Sequence, residues 1–87
     1  MLLGVGVRTA PSDRPGVLVA DVLRGGPAEQ AGLVSGDVLT VLDGTPVNSA
    51  TELTYVLDRH YAGDVIDLVW IDGGGQQRTG KAALTPL

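Results

Sequence analysis

Glycine sets the frame of this chain. Thirteen of its 87 residues are glycine, about twice the share of roughly 7% usual in proteins, and they fall mainly between short apolar runs. Glycine in such places supplies tight turns and close backbone approach. The runs it separates are too short for a bundle of long helices and suit several short strands.

A chain of 87 residues has surface for one hydrophobic core and not for two, so residues 1–87 are read as a single domain. It is 44% hydrophobic and 18% charged, apolar enough to fold as an autonomous globule. With no Phe, one Trp and two Tyr, the core must be built from Leu and Val. The absence of cysteine removes disulfides, thiolate catalysis and sulfur-ligated metals together. Six basic residues stand against ten acidic ones, for a net charge of −4. Arg8, Arg14, Arg24, Arg59, Arg78 and Lys81 are scattered, so no nucleic-acid partner is expected. The longest apolar stretches fall far short of a membrane span, and the N-terminus lacks a basic n-region and cleavage site, so no membrane contact by this domain is expected.

The order of elements follows from local pattern. Leu2, Leu3, Val5 and Val7, with Arg8 and Thr9 after them, make a first strand that ends at the polar segment Ala10 to Pro15. Val17, Val19 and Asp21 fall on one face and Leu18, Ala20 and Val22 on the other, both largely apolar, which marks a central strand. Gly25-Gly26-Pro27-Ala28-Glu29-Gln30-Ala31-Gly32 reads as a very short helix, with Pro27 in its first turn and Gly32 just past its end. So few residues are not stable alone, and Ala28, Ala31 and Leu33 must lean on the core. Val38 to Leu42 is a third strand, Asp43-Gly44 a two-residue turn, and Thr45-Pro46-Val47 a short edge segment. Ser49 as N-cap and Glu52 three residues later form a capping box that opens the main helix. Leu53, Val56, Leu57 and His60 form its apolar stripe, and Gly63 marks the reversal. Val65 to Ile71 and Gln77 to Leu84 form a closing hairpin around Asp72-Gly73-Gly74-Gly75.

Particular segments resemble a known family. They are Leu2-Leu3-Gly4-Val5, the run Gly26-Pro27-Ala28-Glu29-Gln30-Ala31-Gly32-Leu33 followed by Ser35-Gly36-Asp37-Val38-Leu39, then Leu42-Asp43-Gly44-Thr45-Pro46-Val47, and the helix from Ser49. Over nearly the whole chain these resemble the PDZ domain of HtrA-type, trypsin-like bacterial serine proteases. The stretch from Gly63 to Thr79 is most similar to mycobacterial and other actinobacterial secreted proteases. The resemblance implies an α+β fold, a partly open five- to six-stranded β-sandwich or barrel capped by one short and one long helix. It implies a module that recognises a C-terminal or extended peptide, or an unfolded protein segment, by strand addition, and that serves a linked serine protease domain as substrate-binding or regulatory unit. An extracytoplasmic location (secreted, periplasmic or cell-envelope) follows from the resemblance alone.

For the site, the resemblance points to Leu2, Leu3, Gly4 and Val5 as a carboxylate-binding loop and to Val5, Gly6 and Val7 as the strand that receives the peptide. Gly4 allows consecutive N–H groups to converge on a carboxylate. Ala50, Thr54 and Leu57 are expected on the helix side of the groove, with Leu53 and Val56 left for the core, although Leu53 and Leu57 also form a good i, i+4 core pair. Ala50 stands where animal PDZ domains that select Ser or Thr carry histidine. Its methyl group accepts no hydrogen bond, so apolar ligand side chains are expected, with an aliphatic last residue between Leu3, Val5 and Leu57.

Catalytic readings find little support. His60 is the only histidine and continues a helical stripe. Ser12 and Ser35 lack the setting of a nucleophile, and Ser49 is explained as a cap. Asp37, Asp43, Asp64, Asp67 and Asp72 lack calcium-loop spacing, and Gly73-Gly74-Gly75 lacks the lysine and helix of a phosphate loop. A non-catalytic domain without metal or cofactor is expected. The competing reading is a module for oligomerisation or for docking on its own protease domain, using the same strand edge.

Overall fold

A computed structural model describes residues 3–9 and 15–86. The elements run β1 (Val5–Thr9), β2 (Val17–Val22), α1 (Pro27–Ala31), β3 (Val38–Leu42), β4 (Thr45–Pro46), α2 (Ala50–Leu57), β5 (Val65–Ile71) and β6 (Gln77–Ala83). All strand pairs are antiparallel, in one six-stranded sheet of order β1-β2-β3-β5-β6 with β4 attached to β3. The sheet is partly open, with one short and one longer helix, as the α+β reading expected. Its elements come in the expected order, with ends moved by a few residues. The first strand begins at Val5, so Leu3 and Gly4 precede it, and the long helix stops at Leu57.

Alternation in β5 drives the core. Ile66, Leu68 and Trp70 point inward and are buried, while Val65 and Asp67 face out. They meet Val17 and Val19 of β2, Leu39 and Leu42 of β3, and Leu53 of α2, all at most 4% exposed. Leu3, Ala28, Leu33 and Leu84 close the ends of the same cluster. β2 lies between β1 and β3; it buries Val17 and Val19, leaves Leu18, Ala20 and Val22 half-buried and exposes Asp21.

Local signals act where they were read. Asp43 and Gly44 both have positive φ, at 52° and 76°, between the paired residues Leu42 and Thr45, the geometry that joins two strands in a tight hairpin. The Glu52 N–H donates to Ser49 Oγ at 3.1 Å, and the Glu52 carboxylate accepts from the Asn48 N–H at 2.9 Å. The box therefore closes one residue earlier than the simple pattern, on Asn48. The Asn48 side chain in turn accepts the Gly16 N–H at 2.9 Å, tying the start of α2 to the entry of β2.

His60 lies beyond the helix rather than on its stripe. Its N–H donates to the Leu57 carbonyl in a tighter closing turn. The ring then lies between two carboxylates, with Nε2 at 2.8 Å from Asp43 Oδ2 and Nδ1 at 3.2 Å from Asp64 Oδ2. This clamp joins the end of α2 to the β3–β4 turn and to the approach of β5.

The Tyr61 N–H donates to Asp64 Oδ2 at 2.9 Å and holds the Asp64 carboxyl below its ordinary range, assisted by His60 and opposed by desolvation. A carboxyl whose pKa is lower folded than unfolded stabilises the fold above its unfolded value, near 4, and loses that contribution as pH falls through the folded value. Asp72 behaves alike, lowered first by Arg78 and then by the Gln76 N–H. Asp64→Asn is thus expected to shallow the fall of the thermal midpoint below pH 4, and Asp64→Asn with Asp72→Asn to shallow it further. Parallel wild-type and variant curves over pH 5 to 2.5 would refute this assignment.

Candidate functional site

The sheet begins at β1, which pairs with β2 on one side only. Its other edge has no strand partner among the described residues. Such an edge presents backbone donors and acceptors in a row.

The loop that enters β1 is fixed by two hydrogen bonds. The Leu3 carbonyl accepts from the Ala28 N–H at 3.0 Å, and the Gly4 carbonyl accepts from the Leu23 N–H at 2.8 Å. In a planar trans peptide the C=O and the following N–H point in opposite directions. Because the Leu3 and Gly4 carbonyls both face the connection from β2 to α1, the Gly4 and Val5 N–H groups both point away from it. Two adjacent donors are thereby turned outward at the start of the open edge. Gly4 adopts φ +87°, a left-handed conformation that favours glycine. Sewing both carbonyls to one connection makes those donors a fixed feature of the backbone.

The floor beside this edge is apolar. Val5 and Val7 of β1 and Val56 and Leu57 of α2 are half-buried and pack on the same core cluster. α2, the helix expected to form the other wall, is held by Leu53, 4% exposed. Thr54 and Ala50, three and seven residues before Leu57, fall along the same flank; both are exposed. With Thr51, Tyr55 and Asp58 they line a shallow hollow formed by α2 alone.

Most of the expected site residues lie on β1, at its entry, or on α2. Gly4, Val5, Gly6 and Val7 form the open edge and its entry, and Leu57 lies with Val5 and Val7 over one floor. The Leu3 side chain, 2% exposed, belongs to the core, so its part in a groove is to support the floor from below. Leu2 lies outside the described residues. Leu53 takes its core position, whereas Val56 also faces a hollow with Asp43, Thr45, Tyr55, Arg59 and His60. Sequence reading passed over Asp21 and Leu23, which flank Gly6 and Gly4 in a second hollow on the outer face of the sheet. Their signal is the pairing of Gly6 with Asp21, a long-range register.

The site's titratable groups do not form a catalytic constellation. Among the described residues no group of three His, Cys, Asp or Glu side chains could hold a metal ion. His60 is engaged by Asp43 and Asp64, and Ser35 donates its hydroxyl to the Ala20 carbonyl at 2.9 Å. What the arrangement offers is an open strand edge, outward N–H groups and an apolar floor.

The family model for the PDZ domain matches residues 2–78. Among curated proteins, the serine protease PepD of Mycobacterium tuberculosis is 35% identical over 82 residues, covering 94% of this chain and 18% of that protein. A probable periplasmic serine endoprotease, DegP-like, of Ectopseudomonas mendocina is 34% identical over 67 residues, covering 76% of this chain and 14% of that protein. The chain therefore spans less than a fifth of either relative. Among solved structures, the HtrA-type protease AlgW with a decapeptide superposes with a TM-score of 0.87 at 27% identity, over 97% of this chain and 28% of that one. Relatives of HtrA type occur in several bacterial lineages, lactobacilli and pseudomonads among them.

Proposed function

Since this chain belongs to the PDZ domain family, we propose that it is a peptide-binding module that takes a C-terminal or extended peptide as an added strand beside β1. The outward Gly4 and Val5 N–H groups at the head of an unpartnered strand edge carry this reading. They suit the carboxylate of a terminal residue whose side chain rests on Val5 and Leu57, while the peptide backbone continues along Val5 to Val7. Thr54 and Ala50 line the farther part of the helix wall, where the Ala50 methyl favours an apolar ligand side chain. The peptide held by the similar AlgW structure supports the same use of the fold.

The parent protein is read as an extracytoplasmic serine protease in which this domain selects or presents substrate. Its similarity to periplasmic DegP-like proteases supports that location; an actinobacterial type rests on the resemblance of the Gly63 to Thr79 stretch, since relatives of comparable identity come from several lineages. The groove is tested by following backbone amide resonances while a hexapeptide with an aliphatic C-terminus is added. Shifts concentrated at Gly4 to Val7 and at Ala50, Thr54 and Leu57 are expected. A shift pattern centred on the β5–β6 hairpin would overturn the proposed site.

A further inference from the structure

The hollow beside Gly6 has a place in this scheme. It measures about 260 Å³ and is lined by Gly4, Val5, Gly6, Asp21 and Leu23. Resting on the strand-addition reading, we propose that it is the subsite for the side chain of the ligand's penultimate residue, and that it selects a basic one.

Register gives the position. Side chains alternate between faces along a strand, and residues paired across strands share a face. If the last ligand residue lies opposite Val5 with its side chain on the apolar floor, the residue before it lies opposite Gly6 with its side chain on the outer face. On that face Gly6 pairs with Asp21. The row therefore runs from the penultimate residue across Gly6 to Asp21.

Gly6 has no side chain to interrupt the row. A Cβ placed on it would lie 3.3 Å from the Asp21 Cβ, so any larger residue would fill the gap. An added strand would lie about 4.8 Å from β1, which together with the short Gly6-to-Asp21 step puts the ligand Cβ roughly 8 Å from that of Asp21, within reach of lysine or arginine but not of a short side chain. The aliphatic stem would lie along Leu23, which is 53% exposed, and the charged head would meet the Asp21 carboxylate. One Asp21 oxygen accepts the Val22 N–H at 3.1 Å. Asp21 is exposed and enters no ion pair among the described residues.

Three hexapeptides that differ only in ending Lys-Val, Ala-Val or Glu-Val test this by titration calorimetry at low salt. The Lys-Val peptide is expected to bind about threefold tighter than Ala-Val and Glu-Val about threefold weaker, the size of an exposed charge pair. Asp21→Lys is expected to invert the order. Equal affinity of the three for the wild-type domain would leave the groove standing and overturn the subsite. Failure of all three to bind would overturn the groove and the subsite together.

Discussion

Replacing Gly16 with alanine is expected to lower folding stability by about 3 kcal/mol, combining the cost of overpacking with that of a left-handed residue bearing a side chain. Gly16 has φ +114°. A Cβ there would stand 2.6 Å from Val38 Cγ1, 2.9 Å from the Leu39 carbonyl oxygen and 3.3 Å from Thr40 Cγ2. The carbonyl is backbone of β3, in the middle of the sheet, and cannot swing aside as a side chain can. Moving Gly16 instead would strain its hydrogen bond to the Asn48 side chain, which holds the start of α2. The damage should therefore reach the helix wall of the groove as well as the sheet. Urea unfolding checks this against Gly73→Ala, whose added methyl meets nothing within 4 Å. Gly16→Ala should lower the midpoint strongly with little change in slope, and Gly73→Ala should leave it nearly unchanged. A Gly16→Ala loss below about 1 kcal/mol, within the range of ordinary single substitutions, would contradict the packing described.

The same contrast between local and distant partners explains how much the sequence disclosed. The Asp43-Gly44 turn, the Ser49 cap and the ends of the short helix at Pro27 and Gly32 depend on neighbours a few residues away, and each is legible from the chain alone. Even there the partner can slip, as when Glu52 closes its box on Asn48. The bulge that sets Gly6 opposite Asp21 and Val7 opposite Val19 is a different matter. It leaves Ala20 without a matching residue on β1, and it must be accommodated while Val19 exchanges hydrogen bonds with Gly36 and Asp37 on its other side. Nothing adjacent to Gly6 in sequence reports that requirement.

His60 shows the converse limit. Its spacing from Leu53 and Leu57 fits a helical stripe, yet the helix ends first and the ring is claimed by Asp43 and Asp64. Asp43 is seventeen residues away, reached only once the β3–β4 hairpin has formed. Gly4 was legible as a glycine that permits an unusual turn. That the Leu3 and Gly4 carbonyls are taken by the Ala28 and Leu23 N–H groups, and the Gly4 and Val5 donors thereby turned outward, required tertiary contacts with α1 and the segment before it.

Those outward donors are the centre of the account, and a comparison of peptides with free and amidated C-termini tests them directly. Hydrogen bonds to a charged carboxylate are each worth roughly 1.5–3 kcal/mol. An amide removes the charge and turns an N–H₂ group toward the Gly4 and Val5 N–H groups, so about 2 kcal/mol should be lost, or roughly thirtyfold in Kd. The measurement is the Kd of one apolar-ended hexapeptide in both forms for the wild-type domain. Binding of the free acid at least tenfold tighter than the amide is the predicted result. Equal affinity of the two forms would contradict the account, because the open edge would then be binding chain without reading its end.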